Sequence, residues 1–238
     1  MSEIPQGAIR FNTDSQKLEF YAQGEWWIMS TDTPNLGRST DSTPGPRGLF
    51  GGGQGPSPAN EVNEIEYINI ASTGNSADFG DLQQTRQALS SLGSSTRGFW
   101  VGGRDAPANF DIIEFVTFSS LGDNTDFGNL SSAKQGPFGL SNATRGISGG
   151  GSFTNTVDYF TMASTGTVAT FGTLQPTGKG TYQSACMTPV RGVYHQSLGA
   201  SPYPGTTYLG GCIIASLGDF QDFGELSQQR ANSASLSN

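Results

Sequence analysis

The chain has 238 residues and a formal net charge of −8, with 34 glycines, 12 prolines and only 13% charged residues. That length allows one large domain or two small ones, and the mix suits many short strands joined by tight turns. An acidic chain with 12 Lys+Arg lacks the clustered positive charge that nucleic acid or an anionic membrane demands, and no apolar run reaches membrane-spanning length, so neither nucleic-acid binding nor membrane insertion is expected.

The N-terminal stretch MSEIPQGAIRFNTD has neither a basic start nor a long apolar run, so no secretion signal is expected. Within 1–35, GAIRFNTDSQKLEFYAQGEWWIM predicts a three-strand meander. Ile9 and Phe11 would pair with Leu18 and Phe20 across NTDSQK, and a turn at AQG leads to Trp26-Trp27-Ile28. A sheet this small is marginal alone, so it should pack on a partner, on a copy of itself or on the rest of the chain. Trp26 and Trp27 are the expected anchors of that contact. Residues 36–46, rich in Ser, Thr, Pro and Gly, read as a linker.

From residue 47 to 238 one frame recurs. IASTGNSADFGDL (70–82) returns as FSSLGDNTDFGNL (118–130), MASTGTVATFGTL (162–174) and IASLGDFQDFGEL (214–226). Arg-Gly recurs with it, at Arg47, Arg97, Arg145 and Arg191, followed by short apolar segments and glycine pairs such as LFGGG and FWVGG. The copies begin 48, 44 and 52 residues apart, which fits one four-stranded propeller blade per repeat. Alternating segments (IEYINI, IEFVTF, VDYFTM) read as strands, and Gly74, Gly122, Gly166 and Gly218 as turn positions. Phe79, Phe127, Phe171 and Phe223 are expected to plug the space between neighbouring sheets, with Leu82, Leu130, Leu174 and Leu226. The small-residue segment after each Leu reads as an inner strand. The last copy reaches such a segment, so residues 230–238 are expected to join the sheet begun at Arg47 and close a four-bladed ring, with a fifth blade from 1–46 or closure with another subunit as the alternatives. The recurring arginines are expected to bond loops or the Glu66-type acid.

The strand ending in Gly102-Gly103, the pairs Glu66-Tyr67, Glu114-Phe115 and Asp158-Tyr159, and an aromatic 12 residues later resemble the kelch repeat family, with Phe where kelch repeats usually carry Trp. The resemblance implies an all-β chain: a kelch-like β-propeller of four repeats with a small N-terminal β-meander. GAIRFNTDSQKLEFY resembles a segment near the N-termini of tailed-bacteriophage tail fibres and other virion structural proteins. With the STGNSADFG-type repeats, the whole chain is similar to structural proteins predicted in marine phages. That implies a non-enzymatic virion component assembled in the host cytoplasm, a tail-fibre or appendage part that displays a rigid surface for host attachment. Other virion proteins, copies of itself and a host surface glycan or receptor are the implied partners. A capsid or neck decoration protein is the alternative, and a glycan-cleaving virion enzyme a third reading.

Chemical motifs are sparse. Asp-Phe-Gly recurs without the other kinase signatures, and GGGQG (51–55) lacks the Lys-Ser/Thr of a phosphate loop. His195 is the single histidine, and no GxSxG accompanies it. GDNTDFGN (122–129) lacks EF-hand spacing. No catalytic residue, cofactor or metal is therefore expected. The fourth copy departs most: it lacks the glycine pair after Arg191-Gly192 and has Gly210-Gly211 in place of an acid–aromatic pair. Tyr194, His195 and Tyr203 are the expected side chains of a surface contact loop there. Cys186 and Cys212 are expected to be free thiols two strands apart.

Overall fold

The computed structural model describes residues 4–12, 17–28, 47–56, 61–166, 168–175, 180, 182–197 and 205–237. The protein is all-β, built of several small antiparallel sheets. It divides into two compact units, Met1–Thr40 and Asp41–Asn238. The expected linker at 36–46 lies outside the described residues.

The first unit is a meander of β1 (Ile9–Asn12), β2 (Lys17–Ala22) and β3 (Glu25–Ile28). Its registers pair Ile9 with Phe20, Phe11 with Leu18, and Phe20 with Trp27. Gln23 and Gly24 both take positive φ, 54° and 84°, as a two-residue hairpin turn between right-twisted strands requires. Strand alternation then sorts the side chains. Arg10, Glu19, Tyr21 and Trp26 share one face, with the Arg10 guanidinium 2.8 Å from Glu19 and 4.1 Å above the Trp26 ring. Ile9, Phe11, Leu18, Phe20 and Trp27 share the other.

The second unit begins with a three-stranded sheet, β4 (Arg47–Gln54), β5 (Glu61–Asn69) and β6 (Ala77–Asp81). The second sheet holds β7 (Ser90–Gly93), β8 (Arg97–Val101), β11 (Ile112–Thr117) and β12 (Thr125–Asn129), with a small hairpin of β9 (Arg104–Asp105) and β10 (Ala108–Asn109) inserted. The third holds β13 (Phe138–Ser141), β14 (Arg145–Gly149), β15 (Thr156–Thr161) and β16 (Ala169–Thr173). The fourth holds β17 (Ser184–Met187), β18 (Arg191–His195), β19 (Thr206–Ile213) and β20 (Gln221–Arg230). The small-residue strands β7, β13 and β17 lie side by side.

The recurring Phe-Gly has a local cause. In the first sheet Ile65 faces Gly80 and Glu66 faces Asp78, so Phe79 is the unpaired residue of a β-bulge. The same skip leaves Phe127, Phe171 and Phe223 unpaired. The bulge turns each ring out of its own ladder toward the next sheet. Phe79, Phe127 and Phe171 are buried there. Three apolar clusters result, one between each pair of successive sheets. Phe79 and Leu82 meet Trp100 and Val116; Phe99 and Phe127 meet Phe160 and Met162; Phe138 and Phe171 meet Tyr194 and Phe220. At roughly 2 kcal/mol per fully buried large side chain, these clusters are what hold the sheets together.

The expected closure does not appear among the described residues. β4 is bonded to β5 alone, and residues 231–237 form no strand with it. The tail instead runs beside β17: the Met187 amide donates to Ser237 Oγ at 3.3 Å, and Ser184 Oγ lies 3.0 Å from Ser233 Oγ.

Candidate functional site

The seams between sheets follow one chemistry. Arg47 donates from its guanidinium to the Phe118 carbonyl of the next sheet, Arg97 to Met162 and Arg145 to Ile214, at 2.6, 2.8 and 2.7 Å. Each guanidinium also sits over an aromatic of its own sheet, Tyr67, Phe115 and Tyr159. The arginines therefore bond the loops, and the Glu66-type acid takes a different partner. Glu114 pairs with Arg86 and Asp158 with Lys134, each acid reaching back to a cation four residues past the Leu of the preceding sheet. Burial pulls both cations below their ordinary pKa values, and the facing carboxylates oppose that shift.

The turn glycines complete the seam. Gly122, Gly166 and Gly218 have φ of 143°, 155° and 147°, and their amides donate to the carbonyls of Phe79, Phe127 and Phe171. A Cβ on Gly128 would stand 2.7 Å from the Gly166 carbonyl oxygen, so the Gly of Asp-Phe-Gly is there for close approach. Asp123, in the stretch weighed as a calcium loop, accepts the Asp81 amide instead. Among the described residues no group of three or more His, Cys, Asp or Glu is placed to hold a metal ion.

Tyr194 and His195 do not lie on a surface loop. Both are at the end of β18 and are buried. Tyr194 stacks on Phe138 at 5.2 Å and meets Phe220 edge-on, which pushes its phenol pKa upward through burial. Its ring lies where a side chain at position 210 would stand, which is why glycine replaces the acid there. The fourth copy's departure is thus a repacking of the third seam around aromatics, and the surface-contact expectation is corrected for these two residues. Tyr203 lies outside the described residues.

His195 has a different neighbourhood. Its Nε2 is 3.0 Å from the Thr206 carbonyl, which can only accept, so that nitrogen carries the proton. Nδ1 then accepts from Ser233 Oγ at 2.8 Å. Ser233, Asn232 and Tyr182 line an open cleft beside it. No sequence signal links positions 195 and 233, because only the tail's path beside β17 brings them together.

Two surfaces remain uncovered. On the meander, Ile9, Phe11, Leu18, Phe20 and Trp27 are 64, 58, 40, 37 and 50% exposed. Trp27 thus stands on the bare face and Trp26 on the opposite one against Tyr21 and Arg10. On the fourth sheet, a cleft of about 440 Å³ is lined by Arg191, Cys212, Ile213, Leu217, Asp219 and Phe223. Burial pushes the Cys212 thiol up to about 11. Cys186 and Cys212 are both free, with β18 between them.

No family model matches the chain, and no curated protein matches it. Among solved structures, that of YjhT is similar, with a TM-score of 0.65 and 8% sequence identity over 92% of this chain and 80% of that one. At that identity the likeness establishes a shared fold. It also overturns the expectation of a non-enzymatic chain: that expectation rested on a sequence resemblance to virion proteins, whereas the likeness found is to YjhT, and a shared fold hosts catalysts and binders alike.

Proposed function

We propose that the second unit is a kelch-like β-propeller whose four sheets are its blades, and that the protein is a tailed-bacteriophage virion component of the tail-fibre or appendage type. The propeller is displayed toward the host, and the meander joins it to the particle. The observation that carries this reading is the bare apolar face of the meander. Five large apolar side chains on one face of a three-strand sheet are a surface waiting for a partner. The opposite face is already occupied by its own Arg10–Glu19–Trp26 stack. The repeated seams supply a rigid body for that anchor to carry.

The test uses labelled full-length protein, wild type and Phe11→Lys/Trp27→Lys, offered to host cells and to particles depleted of this protein. The variant is expected to keep cell binding and to lose incorporation by tenfold or more, about the effect of charging two central interface side chains. Unchanged incorporation removes the anchoring role. Wild type that enters particles but ignores cells leaves the capsid or neck decoration reading in its place.

A second reading rests on the Ser233–His195 hydrogen bond. Ser233 Oγ would attack an acyl carbon while His195 Nδ1 takes its proton, and that proton passes to the alcohol or amine that leaves as the acyl bond breaks, the ring held by the Nε2–H bond to the Thr206 carbonyl. A fluorophosphonate probe, whose phosphorus bonds to Ser233 Oγ as its fluoride is expelled to solvent, should then label wild type and spare both Ser233→Ala and His195→Gln. Absence of labelling in wild type removes this reading.

A further inference from the structure

The first and fourth sheets carry the two unmatched halves of one more seam. The three closed seams pair a set fashion of groups, and each group has a fourth counterpart that stands open. Arg191 is the counterpart of Arg47, Arg97 and Arg145, yet it is exposed, its guanidinium lies 5.9 Å from the Phe223 ring, and it bonds no carbonyl of a following sheet among the described residues. Phe223 is 49% exposed, where Phe79, Phe127 and Phe171 are 2 to 3% exposed. Gly224 keeps the φ of 138° needed for close approach, yet a Cβ there would meet nothing within 4 Å. Arg230 stands four residues past Leu226, as Arg86 stands past Leu82 and Lys134 past Leu130, and it is exposed.

The first sheet offers the receiving half. Glu66 is the counterpart of the buried acids Glu114 and Asp158, and it is exposed. Ile70, the counterpart of Phe118, Met162 and Ile214, whose carbonyls accept from the arginines, is 66% exposed. Phe50 faces the same way as Glu66, to which it is paired across β4 and β5, and is 60% exposed. Among the described residues this sheet has no small-residue strand beside β4. The tail lies in that strand's place at the far end: Leu236 matches Leu92 of β7 and Leu140 of β13 in distance from the repeat Leu, lies beyond β17 in the inner row, and is 94% exposed.

We infer that the fourth sheet and tail of one chain dock on the first sheet of a second copy, forming a fourth seam of the same chemistry as the three inside the chain. The occupant is a second copy because the complementary half is present in every chain while the chain's own two halves stand unpaired. Such a contact is heterologous, so it builds head-to-tail rings or filaments. Arg230 of one chain would pair with Glu66 of the next, Arg191 with the Ile70 carbonyl, and the tail with β4.

The test is a charge exchange at two exposed positions, with mass measured by light scattering over a concentration series. Wild type is expected to form multiples of its 25.0 kDa chain. Arg230→Glu alone sets Glu against Glu66, and Glu66→Arg alone sets Arg against Arg230; each should weaken association by about tenfold or more. Mixing the two variants restores a complementary pair at every contact and should restore assembly. Unchanged circular dichroism and melting of each single variant confirm that folding is intact. A wild type that stays at 25.0 kDa at every concentration overturns the inference, as does a mixture of the two variants that fails to reassemble.

Discussion

Glu114 and Glu66 occupy the same place in successive sheets, on strands of the same register and beside the same motif. Glu114 is fully buried against Arg86, while Glu66 is exposed and takes its hydrogen bond from Ser76. Within the second unit, the second sheet has a predecessor, while among the described residues of that unit no sheet precedes the first. A side chain's role in this repeat is therefore set by whether its seam is closed, and four near-identical motifs meet two different fates.

The largest contrast should come from the ion pair. Glu114→Ala leaves Arg86 buried without a counter-charge and should cost about 3–5 kcal/mol, while Glu66→Ala should change stability by less than about 0.5 kcal/mol. Urea unfolding of the full chain checks both, and Arg86→Met/Glu114→Leu should recover most of the loss by removing the stranded charge. Equal effects at 66 and 114 would erase the distinction between open and closed seams.

Phenylalanine sharpens the same comparison. Phe127 touches Phe99, Phe115 and Phe160 at ring distances of 4.9 to 6.2 Å. Phe127→Ala should cost about 3 kcal/mol, whereas half-exposed Phe223→Ala should cost about 1 kcal/mol in dilute chain. If Phe223→Ala becomes the more costly change as protein concentration rises, the fourth seam is closing between copies.

The bulge glycines come next. Gly128 and Gly224 share positive φ, so alanine strains the backbone at both. Only at 128 does the new Cβ also strike a neighbouring carbonyl. Gly128→Ala should lower stability by about 2–3 kcal/mol and Gly224→Ala by about 1 kcal/mol, read from thermal melts.

The smallest effect concerns Cys212. Its thiol is raised from 9.0 to about 11 in the folded chain because burial disfavours the thiolate. The unfolded chain loses that proton first, so this group's contribution is complete below pH 9 and is lost as pH rises through about 11. Folded protein at pH 8 should react at Cys212 about a hundredfold more slowly than urea-unfolded protein, since two pKa units are two decades of thiolate. Mass spectrometry after a timed iodoacetamide pulse reads this directly, and equal rates in the two states would show the thiol to be uncovered.

Much of the local structure was legible in the residues. Alternation in GAIRFN and KLEFYA set the pairing of Ile9 with Phe20, and the Ser-Thr-Gly and Ser-Leu-Gly turns marked the hairpins. The repeated Phe announced a plug between sheets, because a ring copied at one spacing has one structural reason. The candidate site was much less legible. Tyr194 and His195 read as loop residues because the glycine pair that marks the strand's end in other copies is missing, yet β18 runs through both. The His195–Ser233 contact was invisible, since 38 residues separate its members and no motif joins them.

The sequence by itself determined most of the strands, their turns and the number of motif copies, because period-two patterning and glycine conformation act within a few residues. The tertiary structure alone decided which copies are sealed and which stand open. A seam joins residues 24 to 71 positions apart, and whether it closes depends on how sheets stack and on where the tail lies. No local pattern encodes either, which is why Phe223 carries the same motif as Phe127 and meets solvent instead of a neighbouring sheet.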